Sequence, residues 1–257
     1  MKKRFFALWG LLFTASLLFA QDAGEIVRAS RDRIRAETIS TRFRMVITAK
    51  DGSVSERLLD QYSKDGSRGS RTIILFRQPA AVANTRFLTM ENAGGADDRW
   101  IYLPSLDKVR RIAASEGSGS FMGTDFSYDD ISSSDRDADL DTHRLIREET
   151  LSGRNCYVIE STPKDSSYQY SKMVLWIDKE NLVTHKIDLY DRRGNHVKVL
   201  EILKLQEIQG RLSSMETRMT TLGAGTGTSL VTEILKYDDP IPEGVFTTNY
   251  LETGRAR

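Results

Sequence analysis

A single cysteine, Cys156, among 257 residues excludes an intramolecular disulfide in any compartment. Its setting, Asn155-Cys156-Tyr157-Val158-Ile159, alternates apolar side chains and supplies no activating base, so the thiol reads as a small buried hydrophobe. Histidine is scarce as well. His143, His185 and His196 fall on separate segments, with no i, i+3 or i, i+4 pairing and no neighbouring cysteine to complete a zinc set. No serine stands in a Gly-x-Ser-x-Gly elbow. Gly117-Ser118-Gly119 has the look of a phosphate loop, but the next glycine is Gly123 and no βαβ unit surrounds it, so the glycines read as flexibility. Asp135, Asp137, Asp139 and Asp141 space oxygens as a calcium loop does. Leu140 and Ile146 stand where a loop starting at Asp135 needs its glycine and its bidentate glutamate, and the alternative is a solvated acidic strand entry. Without a nucleophile, base or metal set, the expectation is a protein that is not an enzyme and carries no cofactor.

Long apolar runs are confined to one place. Lys2-Lys3-Arg4 precede an uncharged stretch over 5–20, interrupted only by Gly10, Thr14 and Ser16, which is the order of a secretory signal. It falls short of the roughly 20 residues that a helix needs to cross a bilayer. The expected cut follows Ala20, leaving 1–20 as a cleavable signal peptide and 21–257 as one mature domain exported to the periplasm. Gln21-Asp22, rather than a cysteine, follows the cut, so no lipid anchor is expected. Loss of three basic residues leaves 34 Lys and Arg against 36 Asp and Glu, and moves the net charge from +1 to −2. No polybasic block remains, so neither nucleic acid nor an anionic membrane surface is an organising partner.

What is present is alternation. An amphipathic helix is predicted over 23–37, with Ile26, Val27, Ser30 and Ile34 on one side. From Thr38 the period changes to two. Phe43, Met45 and Ile47 alternate with polar residues up to Asp51-Gly52, a hairpin turn leading into 53–63. Further strands are predicted over 72–77, 86–91, 99–103 and 108–113. After an interruption come 143–151, 155–162, 172–177, 182–191, 196–209, 212–222 and 228–237. Eleven to twelve sequential strands argue an antiparallel meander, whose accumulated twist must curl it into a half-open or closed barrel.

The concave residues are expected to be Phe43, Met45 and Ile47, then Trp100 and Tyr102 or their alternates Ile101 and Leu103, then Val183, Ile187 and Leu189. Both parities are apolar over Met173-Val174-Leu175-Trp176-Ile177, so the direction of Trp176 stays open there. Residues 115–141, rich in Gly and Ser with the aromatics Phe121, Phe126 and Tyr128 beside Met122, form a candidate lid or a plain surface excursion. Met45, Met90, Met122, Met173, Met215 and Met219 would suit an adaptable wall around acyl chains or fill a dry core.

Three stretches carry a family pattern: Asp98-Arg99-Trp100-Ile101-Tyr102-Leu103-Pro104 with Lys108-Val109-Arg110-Arg111-Ile112; Ser120-Phe121-Met122-Gly123-Thr124-Asp125-Phe126-Ser127-Tyr128-Asp129-Asp130; and Val174-Leu175-Trp176-Ile177-Asp178 with Tyr190-Asp191-Arg192-Arg193-Gly194. With them the mature chain resembles the LolA-like outer-membrane lipoprotein-sorting proteins. The resemblance implies a mainly β (α+β) fold: a strongly curved antiparallel sheet forming an unclosed half-barrel, covered by an N-terminal helix and a loop or helical lid over an apolar cavity. It implies a periplasmic carrier that takes lipoproteins from an inner-membrane transporter and hands their acyl chains to an outer-membrane acceptor, touching membranes only transiently. The Ser120-to-Asp130 motif is absent from the best-known carriers, so phospholipid or another amphiphile joins lipoprotein acyl chains as expected cargo. The competing reading is an envelope interaction module with a closed, filled core.

Overall fold

The computed structural model describes residues 22–66, 69–92, 97–132 and 137–256. Helix α1 (Ala23–Asp32) opens on Asp22, whose carboxylate accepts the Gly24 backbone N–H at 2.8 Å and so satisfies a first-turn donor. Ala23, Ile26, Val27 and Ser30 turn inward. The helix ends short of the predicted 23–37. At that point the Arg33 guanidinium reaches the Leu212 carbonyl and the chain turns toward Thr38. Ile34 extends the helical periodicity beyond the true end.

Thirteen strands follow among the described residues, one or two more than alternation alone indicates: β1 (Thr38–Thr48), β2 (Val54–Lys64), β3 (Arg71–Gln78), β4 (Arg86–Met90), β5 (Asp98–Leu103), β6 (Lys108–Arg111), β7 (Asp141–Leu151), β8 (Arg154–Pro163), β9 (Tyr170–Asp178), β10 (Thr184–Asp191), β11 (His196–Ile208), β12 (Arg211–Thr221) and β13 (Thr226–Tyr237). Gly52, at a φ of +83°, takes the left-handed position that lets β1 reverse into β2.

All strands join one antiparallel sheet in the order β6-β5-β4-β3-β2-β1-β13-β12-β11-β10-β9-β8-β7. The first and last strands pair in the middle, with Met45 opposite Leu230, and fuse two meanders into one surface. Strands β6 and β7 are consecutive in the chain but form the two opposite edges. Flat, thirteen strands would span about 58 Å, taking about 4.8 Å for each spacing. Twist curls such a ribbon instead, and the result is an unclosed half-barrel whose edge-to-edge connector crosses its inside.

Alternation assigns the faces. Met45, Leu59, Ile74, Phe76, Phe87 and Ile101 form the inner wall of one half, and Ile159, Met173, Leu175, Ile177, Leu189 and Met219 that of the other, where α1 also packs. Leu230 touches both clusters, so the inner face is continuous. On the outer face of β3–β5, Ile73, Leu75, Leu88 and Tyr102 lie under Val245, Phe246 and Leu251. These last come from a 3-10 turn (Glu243–Phe246) and helix α3 (Thr248–Thr253). The Arg71 guanidinium sits 5.5 Å from the Phe246 ring centre, and Arg86 donates to the Leu251 carbonyl at 2.5 Å.

Phe246 is 1 % exposed, so the outer cover depends on it. Phe246→Ala is expected to lower unfolding free energy by about 3–5 kcal/mol. Urea titration measures this, and a loss below about 1 kcal/mol would mean that the cover adds little to the sheet's stability.

Candidate functional site

The connector between β6 and β7 is a strap laid across the inner face. Ser120 and Ser127 bridge in antiparallel fashion, and the Phe121 N–H donates to the Phe126 carbonyl at 2.8 Å, closing a tight loop. Met122 and Gly123 form its tip, with φ of +52° and +76°. Helix α2 (Tyr128–Ser132) follows. Phe121 is fully buried, its ring centre 5.2 Å from that of Phe87, 5.9 Å from Phe76 and 5.6 Å from Tyr128. Phe126 lies in the cluster of the other half, and Ile131 packs against both clusters. Strap side chains therefore occupy the space between the two walls.

Polar contacts hold the strap at four points. Asp125 accepts from the Thr226 and Thr228 hydroxyls at 2.5 and 2.7 Å. The Met122 carbonyl accepts from Arg57 at 2.7 Å. Asp129 accepts from Arg99 at 2.5 Å. Asp130 accepts from Lys198 at 3.0 Å, from the Tyr170 hydroxyl at 2.9 Å and from the Gln169 amide at 3.0 Å. Burial, then the charge of Asp130, raises the Tyr170 phenol far above its usual range, so it stays a donor. Burial also lowers the proton affinity of the Arg57 guanidinium. Gly117 permits the close approach of α2, because a Cβ there would collide with the Asp129 carboxylate.

The structure divides the sequence-predicted residues between two faces. Phe43, Met45, Ile47, Phe121, Met122 and Tyr128 gather in the inner cluster of the first half, and Phe126, Ile187 and Leu189 in that of the second. In β5 the alternates Ile101 and Leu103 face inward, while Trp100 and Tyr102 lie outside in the cluster under α3. Trp176 also lies outside, with Cys156, Val158 and Val174, and its ring is 4.3 Å from the Lys186 ammonium. The three histidines stay apart: His143 bonds Ser161 and the Ala138 carbonyl, His185 faces Asp178, and His196 stacks on Tyr190. In the acidic ladder Asp137 caps its own turn, Asp139 pairs with Arg28 and Asp141 is buried, while Asp135 lies outside the described residues. Burial raises the Cys156 thiol pKa. A cleft of about 610 Å³ lies away from the strap, lined by charged residues such as Arg35, Asp65, Arg211 and Asp238.

The crystal structure of a DUF1329 family protein from Desulfovibrio piger is 30% identical to this chain, covering 89% of it and 97% of that protein, at a TM-score of 0.84. This chain belongs to the DUF1329 family. A family model described as an uncharacterized protein matches residues 68–253 of this DUF1329 chain. An outer-membrane lipoprotein-sorting protein domain from Vibrio parahaemolyticus is 29% identical, with a TM-score of 0.84 over 90% of this chain and 98% of that one. The LolA superfamily protein NE2245 from Nitrosomonas europaea shares the fold at 22% identity and a TM-score of 0.73, over 90% of this chain and 100% of that one. No curated protein matches this DUF1329 sequence significantly. The half-barrel is thus a LolA-like fold.

Sequence reasoning did not single out Arg57, Arg99, Lys198, Asp125, Asp129 or Asp130 as strap contacts. A signal existed: Arg57, Arg99 and Lys198 each stand two residues before an inward apolar residue, Leu59, Ile101 and Leu200, and so share its face. Asp130→Ala removes the carboxylate shared by Lys198, Tyr170 and Gln169. Hydrogen exchange of 120–131 is expected to accelerate by about tenfold or more, while β1 and β13 amides keep their protection. Unchanged exchange in the strap would show that Asp130 does not hold it.

Proposed function

We propose that this protein is a non-enzymatic periplasmic carrier that shelters acyl chains on its inner face and moves them between the inner and outer membranes, as in outer-membrane lipoprotein sorting. One observation carries the reading: the inner face is a continuous apolar wall, and its occupants at the centre are aromatic side chains from a connector rather than from the sheet. Here Phe121 and Phe126 stand where an acyl chain would lie.

The exchange is physically balanced. Burial of an acyl chain is worth about 0.8 kcal/mol per methylene, so about 12 kcal/mol for sixteen carbons, and the bilayer offers the same gain. The carrier must therefore match the bilayer rather than exceed it. Strap displacement exposes Phe121 and Phe126, at about 2–3 kcal/mol each, while the chain re-covers the wall they leave. Met45, Met173 and Met219 on that wall have the adaptability that chains of differing length require. The expected cargo is lipoprotein acyl chains or phospholipid, received from an inner-membrane transporter and delivered to an outer-membrane acceptor. Signal residues 1–20 supply the export route.

The filled interior favours a second reading, an envelope interaction module whose strap is permanent. Native mass spectrometry and lipid extraction of protein isolated from its own periplasm separate the two. The carrier reading expects a co-purifying amphiphile, or uptake of a fluorescent acyl probe by the emptied protein. Protein that carries no amphiphile and takes up no probe would establish the permanent plug.

A further inference from the structure

The geometry points to a net-negative phospholipid as the cargo, with its headgroup phosphate taken by Arg99 and Lys198 once Asp129 and Asp130 leave. The inference rests on the carrier reading above and deepens it.

Arg57, Arg99 and Lys198 lie on the inner face and take partners from the strap: Arg57 the Met122 carbonyl, Arg99 the Asp129 carboxylate at 2.5 Å, with Asp97 just before its own strand more distant at 3.4 Å, and Lys198 the Asp130 carboxylate. Arg99 and Lys198 are 10 and 16 % exposed at the side chain, and Asp129 and Asp130 are 14 and 7 % exposed. These are desolvated pairs, in which removal of one partner leaves an uncompensated charge. Cargo that enters the half-barrel by displacing the strap takes Asp130 from Lys198, takes Asp129 from Arg99 and leaves it the more distant Asp97, and takes the Met122 carbonyl from Arg57. It also frees the Thr226 and Thr228 hydroxyls that bind Asp125.

An uncharged acyl chain replaces only half of what it displaces. It covers the wall vacated by Phe121 and Phe126 but leaves Lys198 without its carboxylate and Arg99 with Asp97 alone. An amphiphile with phosphate oxygens beside its acyl chains replaces both halves. The planar guanidinium of Arg99 presents two parallel donors that fit such oxygens, and the Lys198 ammonium acts as a second point charge. In the closed state the strap mimics this ligand: aromatic rings stand for acyl tails, and the carboxylates of Asp129 and Asp130 for headgroup oxygens. A net-neutral choline lipid carries its own cation beside the phosphate and pairs less well with this set.

The test compares uptake by the full mature chain of phosphatidylglycerol and phosphatidylcholine with identical fluorescent tails, from vesicles of each lipid. The wild-type chain is expected to bind phosphatidylglycerol at least about tenfold more tightly. Lys198→Gln is expected to cut that ratio by about threefold or more, with Arg99→Gln acting in the same direction if it folds. A purely structural role for Lys198 would loosen the strap, raise uptake of both lipids together and leave the ratio unmoved. Equal affinities in the wild type, or a ratio that Lys198→Gln leaves unchanged, overturn the headgroup assignment and leave the carrier reading standing. Uptake of neither lipid overturns both. Inorganic phosphate is expected not to compete at millimolar concentration, and loss of phosphatidylglycerol preference on its addition would assign the cations to a free anion instead.

Discussion

The rest of the structure depends on one topological constraint. Strands β6 and β7 follow each other in the chain yet lie at opposite edges of a thirteen-stranded sheet, because β1 and β13 pair in the middle. The connector has two ways to join those edges. It can pass over the outside, where α3 and its preceding turn already cover β3–β5, or across the inside. The inside route places Phe121, Phe126 and Ile131 against apolar walls of both halves, and hydrophobic burial then favours the half-barrel closing around them. Connection and core are the same segment.

The way in which that segment is held distinguishes it from an ordinary core. Apolar packing alone would have sufficed to hold it permanently, since well-packed hydrophobes of similar volume commonly equal or exceed a buried ion pair in stability. Instead Asp125, Asp129 and Asp130 each enter the interior and each meet donors on the sheet. Such contacts are directional and fix the strap in one position on the sheet. In the outer cover the side chains of Val245, Phe246 and Leu251 sit on Ile73, Leu75 and Leu88, and no carboxylate of the cover enters that cluster among the described residues.

Much of this architecture was legible in the sequence, for identifiable reasons. Period-two alternation marks strands wherever one face is apolar, and Phe43, Met45 and Ile47 were assigned inward on that basis and lie there. Alternation fails where both faces are buried. In β5 the outer residues Trp100 and Tyr102 are as apolar as the inner Ile101 and Leu103, because α3 covers the outside; in β9 Trp176 is covered by Lys186 and by Arg147. Parity there is set by elements distant in sequence. Alternation puts Arg57, Arg99 and Lys198 on the inner face but does not name their partners: Asp125 and its threonines are about a hundred positions apart, and Asp130 and Lys198 are 68 apart.

Net charge concealed the chemistry of the interior. A chain with nearly equal numbers of acidic and basic residues reads as having no electrostatic preference, yet its cations and anions are not mixed at random. On the inner face Arg57, Arg99 and Lys198 belong to the rigid sheet, while Asp125, Asp129 and Asp130 belong to the connector. Neutrality on that face is assembled largely across the contact between sheet and connector, with Asp97 beside Arg99 as a further carboxylate just before β5. A low-dielectric surrounding strengthens these pairings, and a net charge summed over the chain does not reveal them.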